Sequence, residues 1–136
     1  MITAVDTNVL IDILEGDPEF GAASAAALAR AAQEGALVAC EAVWAEVATA
    51  YAPAEDVAED LRTLGLRFAP MNEEAALRAA RAWARYRQAG GTRSRIAADF
   101  LIGAHAACQA DRLLTRDDGF HRKHFTGLQV QAPATT

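Results

Sequence analysis

Cysteine is scarce: Cys40 and Cys108 are the only two in 136 residues, and neither stands in a CxxC or Cys/His spacing. Both lie among alanines and aliphatic residues, which predicts buried free thiols and argues against a disulfide framework or a zinc site. No charge-free apolar run approaches the ~18 residues a membrane span needs, so no membrane partner is expected. The amino terminus lacks a basic region followed by an apolar one, which predicts a cytoplasmic location. Repeats, linkers and low-complexity tracts are also absent, so residues 1–132 are expected to form one domain followed by a flexible tail at 133–136. Lysine is nearly missing: Lys123 is the one lysine among thirteen basic residues.

What is present is an apolar fraction of 52%, enough for a proper core, and an uneven charge. Residues 1–77 carry fourteen acids and three bases, a balance of −11, whereas residues 78–123 carry ten bases and four acids, a balance of +6. An arginine-rich half within an acidic chain offers either a solvated helix face or a basic face for a polyanion, because the planar guanidinium grips phosphate through two donors.

The apolar spacing predicts strands near residues 2–5, 36–40, 66–69, 112–115 and 128–130. Between them it predicts helices over about 18–34, 41–51, 54–64, 72–87, 96–109 and 120–124, with a further one after Thr7-Asn8. In the 41–51 helix, Trp44, Val47, Ala48 and Tyr51 share a stripe. Strands alternating with helices imply an α/β fold, a three-layer α/β/α sandwich with a small parallel sheet of four to five strands.

The stretch Ile2-Thr3-Ala4-Val5-Asp6-Thr7-Asn8 runs an apolar strand into an acid. Ligands of parallel α/β sheets collect outside the carboxyl ends of the strands, so Asp6 is either a helix cap or a site acid. Asp117 occupies the matching place after the fourth strand. Glu46 and Asp99 sit on helices among small or apolar neighbours, with Arg95 the one base near either on its own helix. Clustered acids in such surroundings need compensation, and oxygen ligands without paired His or Cys select Mg2+ or Mn2+. Asp118 is second in line to Asp117. His105 reads as a core residue, and His121 and His124, two ligands without a third, are left outside the site. Trp83 and Tyr86 among the arginines are core or interface by default, with a nucleobase contact as the alternative.

The segments Val5-Asp6-Thr7-Asn8-Val9-Leu10-Ile11-Asp12, Trp44-Ala45-Glu46-Val47, Ala98-Asp99-Phe100-Leu101-Ile102-Gly103-Ala104-His105-Ala106 and Leu113-Leu114-Thr115-Arg116-Asp117-Asp118-Gly119-Phe120, in this order and spacing, resemble PIN-domain proteins. Within that family they resemble the VapC toxins of type II toxin–antitoxin pairs. The resemblance covers nearly the whole chain. It implies that Asp6, Glu46, Asp99 and Asp117 hold one or two Mg2+ or Mn2+ ions, with Thr7, Asn8, Thr115 and Asp118 in support. It further implies an RNA substrate, a homodimer and a cognate VapB-type antitoxin. Arg93, Arg95, Arg116 and Arg122 are the expected phosphate contacts. Two rivals differ in class. A haloacid-dehalogenase-like phosphohydrolase needs a second Asp two residues after the first, where this chain has Asn8, and a site lysine. A PIN-fold interaction module without catalysis would bind no divalent ion.

Overall fold

The computed structural model describes residues 1–50, 53–93 and 96–134. Among them five strands and seven helices alternate as β1 (Ile2–Val5), α1 (Thr7–Leu14), α2 (Gly21–Glu34), β2 (Ala36–Ala39), α3 (Glu41–Ala50), α4 (Ala54–Thr63), β3 (Leu66–Phe68), α5 (Glu73–Gln88), α6 (Ala98–Gln109), β4 (Arg112–Leu114), α7 (Asp118–His124) and β5 (Val130–Gln131). All pairings are parallel and the strand order is β3-β2-β1-β4-β5. The expected α/β/α sandwich is therefore the observed fold. Tyr51 and Arg95 fall outside the described residues, as do Thr135 and Thr136 of the expected tail.

The topology decides where a site can lie. From β1 the chain moves outward through β2 and β3, then returns to place β4 on the other side of β1. The adjacent strands β1 and β4 thus flank the point at which the winding reverses, and a crevice opens outside their carboxyl ends. Val5 is in register with Leu114, and the Asp6 amide continues the ladder to the Leu114 carbonyl at 2.9 Å. Asp6 and the 115–117 segment leave the sheet side by side.

Two apolar clusters hold this frame. The larger packs Val5, Val9, Leu10, Leu37, Val43, Val57, Leu61, Ile102, Leu113 and Leu114 around the sheet. The smaller joins α5, α6 and α7 through Ala79, Ala82, Phe100, Ala104 and Phe125, with Trp83, Tyr86 and Phe120 against it. The small alanines of α5 let Phe100 approach, and Trp83 meets its ring edge-on at 5.5 Å between centroids.

Several boundaries differ from the expected ones, each for a local reason. Helix α6 begins at Ala98, not Ile96, with Ala97 extended before it and Ile96 exposed. The Asp117-Asp118-Gly119 turn is the start of α7, which Asp117 precedes. The last strand falls at Val130–Gln131, later than 128–130, because Leu128 is spent as a core plug after the positive-φ Gly127. Pro133, assigned to the tail from sequence, is buried and borders a hollow with Phe20 and Arg116.

Candidate metal centre

Asp6 is 3% exposed and its two oxygens are divided among three donors. Oδ1 accepts the Thr7 amide at 2.7 Å, which also caps α1. Oδ2 accepts the Thr115 hydroxyl at 2.7 Å and faces Nε2 of His121 at 3.3 Å. The cap that the sequence offered as one reading of Asp6 is thus present, and the carboxylate's other oxygen is held by contacts from the 115 and 121 positions. Thr115 is fully buried and acts as the hub, for its hydroxyl also accepts the Asp117 amide at 2.9 Å. Asn8 closes the same corner by accepting the Arg116 amide at 3.1 Å through its side-chain oxygen. Thr7, Asn8 and Thr115 thus all make contacts around the Asp6 carboxylate and the segment after β4.

Glu46 is anchored from across the crevice: the Thr7 hydroxyl donates to its Oε1 at 2.7 Å. Its surroundings differ in part from the sequence expectation: of Ala42, Val43, Thr49 and Ala50, Val43 is buried and Ala42 half-buried, whereas Thr49, Ala50 and Glu46 itself are exposed. Glu46 is a solvent-facing acid at the rim, not one stranded on an apolar face. Asp99 is the half-buried member. Burial raises its pKa above the ordinary carboxylate value and the Asp6 charge raises it further; His121 opposes this, and Asp117 (raising) and Arg93 (lowering) contribute less. Arg93 comes only to 4.0 Å of Asp99. Asp117 contributes to this field, whereas Asp118 turns to Arg122 at 3.6 Å within α7.

His121 was left outside the expected site, and the structure puts it underneath. It is fully buried, and its Nδ1 has no hydrogen-bond partner. A donor at Nε2 facing the Asp6 carboxylate leaves Nδ1 unprotonated, a tautomer assigned from this geometry. The helix α7 can come this close because Gly103 presents no side chain: a Cβ there would collide with the Phe125 ring and touch His121 Nδ1 at 3.0 Å. Gly103→Ala is expected to cost about 1–3 kcal/mol and to push α7 away from Asp6. Thermal unfolding measures the loss, and the His121 imidazole resonances report the displacement.

Arg116 and Arg122 are engaged within the protein. Arg122 also donates to the Val130 carbonyl at 3.0 Å. Arg116 grips Asp12 through Nε at 2.7 Å and Nη2 at 3.0 Å, and Asp12 further accepts the Ser24 hydroxyl at 2.9 Å. Asp12 is 3% exposed, a buried acid that the spacing gave no reason to separate from its motif.

Whether these residues fit a divalent ion rests on the donor set. Among the described residues no three carboxylate, imidazole or thiol groups stand close enough to form a closed ligand set. The charges nevertheless fit: Asp6 and Asp117, from two other segments, both act on Asp99, whose nearest ion-pair partner among the described residues is Arg93 at 4.0 Å. Hard oxygen donors of this kind suit a hard cation. The raised pKa of Asp99 gives a stability test in the metal-free protein. The folded state holds the Asp99 proton more tightly than the unfolded chain, so this group favours folding at acid pH and the contribution is lost as pH rises through the folded value. Asp99→Asn is expected to raise the Tm of metal-free protein at neutral pH, and the difference from wild type is expected to shrink towards the unfolded pKa. Thermal scans in chelator across acid to neutral pH check it.

An α/β/α protein with acids gathered outside the carboxyl ends of its two central strands is the class these observations define. The PIN-domain family model matches residues 3–125, and the chain belongs to that family. The family is one of nucleases that generally use divalent metal ions. No curated protein matches the sequence. Among solved structures the chain is similar in fold to VapBC2 from Rickettsia felis bound to a promoter DNA fragment, at 18% identity over 97% of this chain and 98% of the other, with a TM-score of 0.75. It is likewise similar to VapBC-1 from nontypeable Haemophilus influenzae, at 22% identity, 97% and 98% coverage and a TM-score of 0.70. A third, FitAcB from Neisseria gonorrhoeae, shares 24% identity over 98% of each chain with a TM-score of 0.69. No helix among the described residues is long and apolar enough to cross a membrane.

Proposed function

We propose that the chain is a Mg2+- or Mn2+-dependent endoribonuclease, the toxin of a VapBC-type pair. The observation that carries this reading is the placement of Asp6 and the 115–117 segment side by side at the switch point of a PIN-family sheet, with their charges acting on Asp99. Asp6 and Asp99 would be the principal ligands of the ion, and Glu46 and Asp117 would complete the set. When bound, such an ion lowers the pKa of water and offsets the charge of a phosphodiester. The chain's own residues do the rest. Thr7, Thr115 and His121 fix the Asp6 carboxylate so that it need not reorganise when the substrate arrives. Thr7 ties Glu46 to the same helix end. Water would be the attacking group, the one an ion held by these acids would activate, while the Thr7 and Thr115 hydroxyls serve to hold the Glu46 and Asp6 carboxylates. Burial pushes the Cys40 thiol up, away from the thiolate that would attack.

A VapB-type antitoxin and a homodimer belong to the same proposal. Support for a partner helix comes from a largely apolar hollow of about 230 Å³ bordered by Ile13, Leu28, Ala32 and Leu64 on α1, α2 and the end of α4. The test is calorimetric titration with Mg2+ and Mn2+, together with cleavage of single-stranded RNA and DNA with metal and with chelator. Metal binding followed by chelator-sensitive RNA cleavage is expected. Absence of divalent binding would replace the nuclease by a non-catalytic module. Light scattering of the purified chain checks the dimer.

A further inference from the structure

Beside α7 a further hollow, of about 400 Å³, opens among Arg85 and Tyr86 of α5, Gly91 after it, and Lys123 and His124 of α7. Its volume lies within the ~300–1,000 Å³ of small-molecule pockets. Two cations face it, and neither makes an ion pair among the described residues. Arg93, Arg112, Arg116 and Arg122, by contrast, each have a carboxylate within 4.0 Å. The unneutralised charge is felt inside: burial lowers the His124 pKa, and Lys123, His121 and Arg85 lower it further.

The wall is aromatic and braced. His124 lies 6.1 Å from Tyr86 and 4.6 Å from Phe120 between ring centroids, with Phe100 behind all three. Gly91 lies so close to Tyr86 that a Cβ would strike its ring. Arg87 donates to the Gly91 and Arg93 carbonyls at 3.0 and 2.6 Å, and the Tyr86 hydroxyl accepts the Arg93 amide at 3.3 Å. Those contacts link the hollow to the acids. The residue whose amide holds Tyr86 carries its guanidinium to Asp99, and one turn of α7 separates His124 from His121 beneath Asp6.

We infer that this hollow seats a nucleotide of single-stranded RNA flanking the scissile phosphate. Its phosphate lies between Arg85 and Lys123 and its base lies against Tyr86 and His124. The inference rests on the ribonuclease reading and deepens it. Unpaired cations beside ring walls are the combination by which proteins hold a single strand without reading base edges.

The test uses a single-stranded RNA oligonucleotide, followed by fluorescence anisotropy in chelator, where the proposed metal-dependent cleavage cannot consume it, over a range of NaCl concentrations. Arg85→Gln/Lys123→Gln is expected to weaken binding and to flatten the slope of log affinity against log salt by about 0.7, the contribution of the one phosphate the pair holds. His124→Ala is expected to weaken binding about fivefold or more, the stacking share of one base. Calorimetric metal binding should be unchanged in both, which separates loss of the hollow from damage to the acids. Arg67→Gln, on β3, serves as the control for general loss of charge. Wild-type protein that binds and cleaves RNA beside a double variant no worse than Arg67→Gln would overturn the hollow and leave the nuclease standing. Wild-type protein that neither binds nor cleaves RNA would overturn both. Intact RNA affinity in the double variant with lost affinity for a poly-glutamate peptide would make the hollow a protein-docking site and overturn the inference.

Discussion

Asp6→Asn is expected to reduce metal-dependent RNA cleavage by about 10³-fold or more, equivalent to ~4 kcal/mol of barrier. The amide retains one acceptor for the Thr7 amide, so the cap of α1 survives. At the other position an acceptor becomes a donor, and it faces the Thr115 hydroxyl at 2.7 Å and His121 at 3.3 Å. The hydroxyl can rotate and the imidazole can change tautomer, so the protein is expected to remain folded with a loss of about 1–3 kcal/mol. Calorimetry should show divalent binding abolished while thermal unfolding remains cooperative. Thr7→Val provides the graded comparison: it releases Glu46 without touching a ligand and is expected to cost about 10–100-fold in metal affinity, the usual size of a support lost behind a ligand. Asp6→Asn protein with undiminished chelator-sensitive cleavage would remove Asp6 from the centre of the mechanism.

Much of the architecture could be read from periodicity, because β1, β2 and β4 are apolar runs each followed by a helix start. Alternation implies parallel strands but does not reveal that β1 and β4 are neighbours. That adjacency depends on which side of β1 the returning chain takes, a matter of whole-sheet packing. Asp99 was found on sound grounds, as an acid among apolar helix neighbours, and it is half-buried. Glu46 was found on the same grounds, which hold for it only in part: Val43 is buried, but Thr49, Ala50 and Glu46 itself face water, and what distinguishes it is the Thr7 hydroxyl 39 positions away. His121 was illegible because its helix is short and polar, with a basic end. Its burial comes from a glycine on another helix, and no local spacing encodes that. The His121/His124 spacing of three, two ligands without a third, kept both out of the expected site; in the fold the two rings share one face of α7 but meet different neighbours, His121 the Asp6 carboxylate and His124 a basic hollow.

The second large effect concerns stability, and it arises from a pair 104 residues apart. Arg116→Ala is expected to cost about 3–5 kcal/mol because it strips Asp12, whose side chain is 4% exposed, of its bidentate partner. The Ser24 hydroxyl would be the one remaining side-chain donor to Asp12 among the described residues. The guanidinium also lies 4.0 Å over the Phe20 ring, so packing is lost with the charge. A fall in Tm of roughly 10 °C or more follows for a domain of this size. Asp12→Asn should cost less, because the arginine side chain is 32% exposed and can turn to water. This asymmetry separates two roles for Arg116. As a fastener it ties the segment after β4 to α1 beside the Asn8 contact, and so holds Asp117 in place. Freed by Asp12→Asn, a fastener leaves RNA affinity unchanged or lower, whereas a phosphate-binding arginine, released from its internal partner, raises the affinity and steepens its salt dependence. The engaged fork favours the fastener. Thermal unfolding of the two single variants, with oligonucleotide affinity of Asp12→Asn at two salt concentrations, decides between them: higher affinity with a steeper salt slope assigns Arg116 to the phosphate, and anything else leaves it as the clasp that seats Asp117.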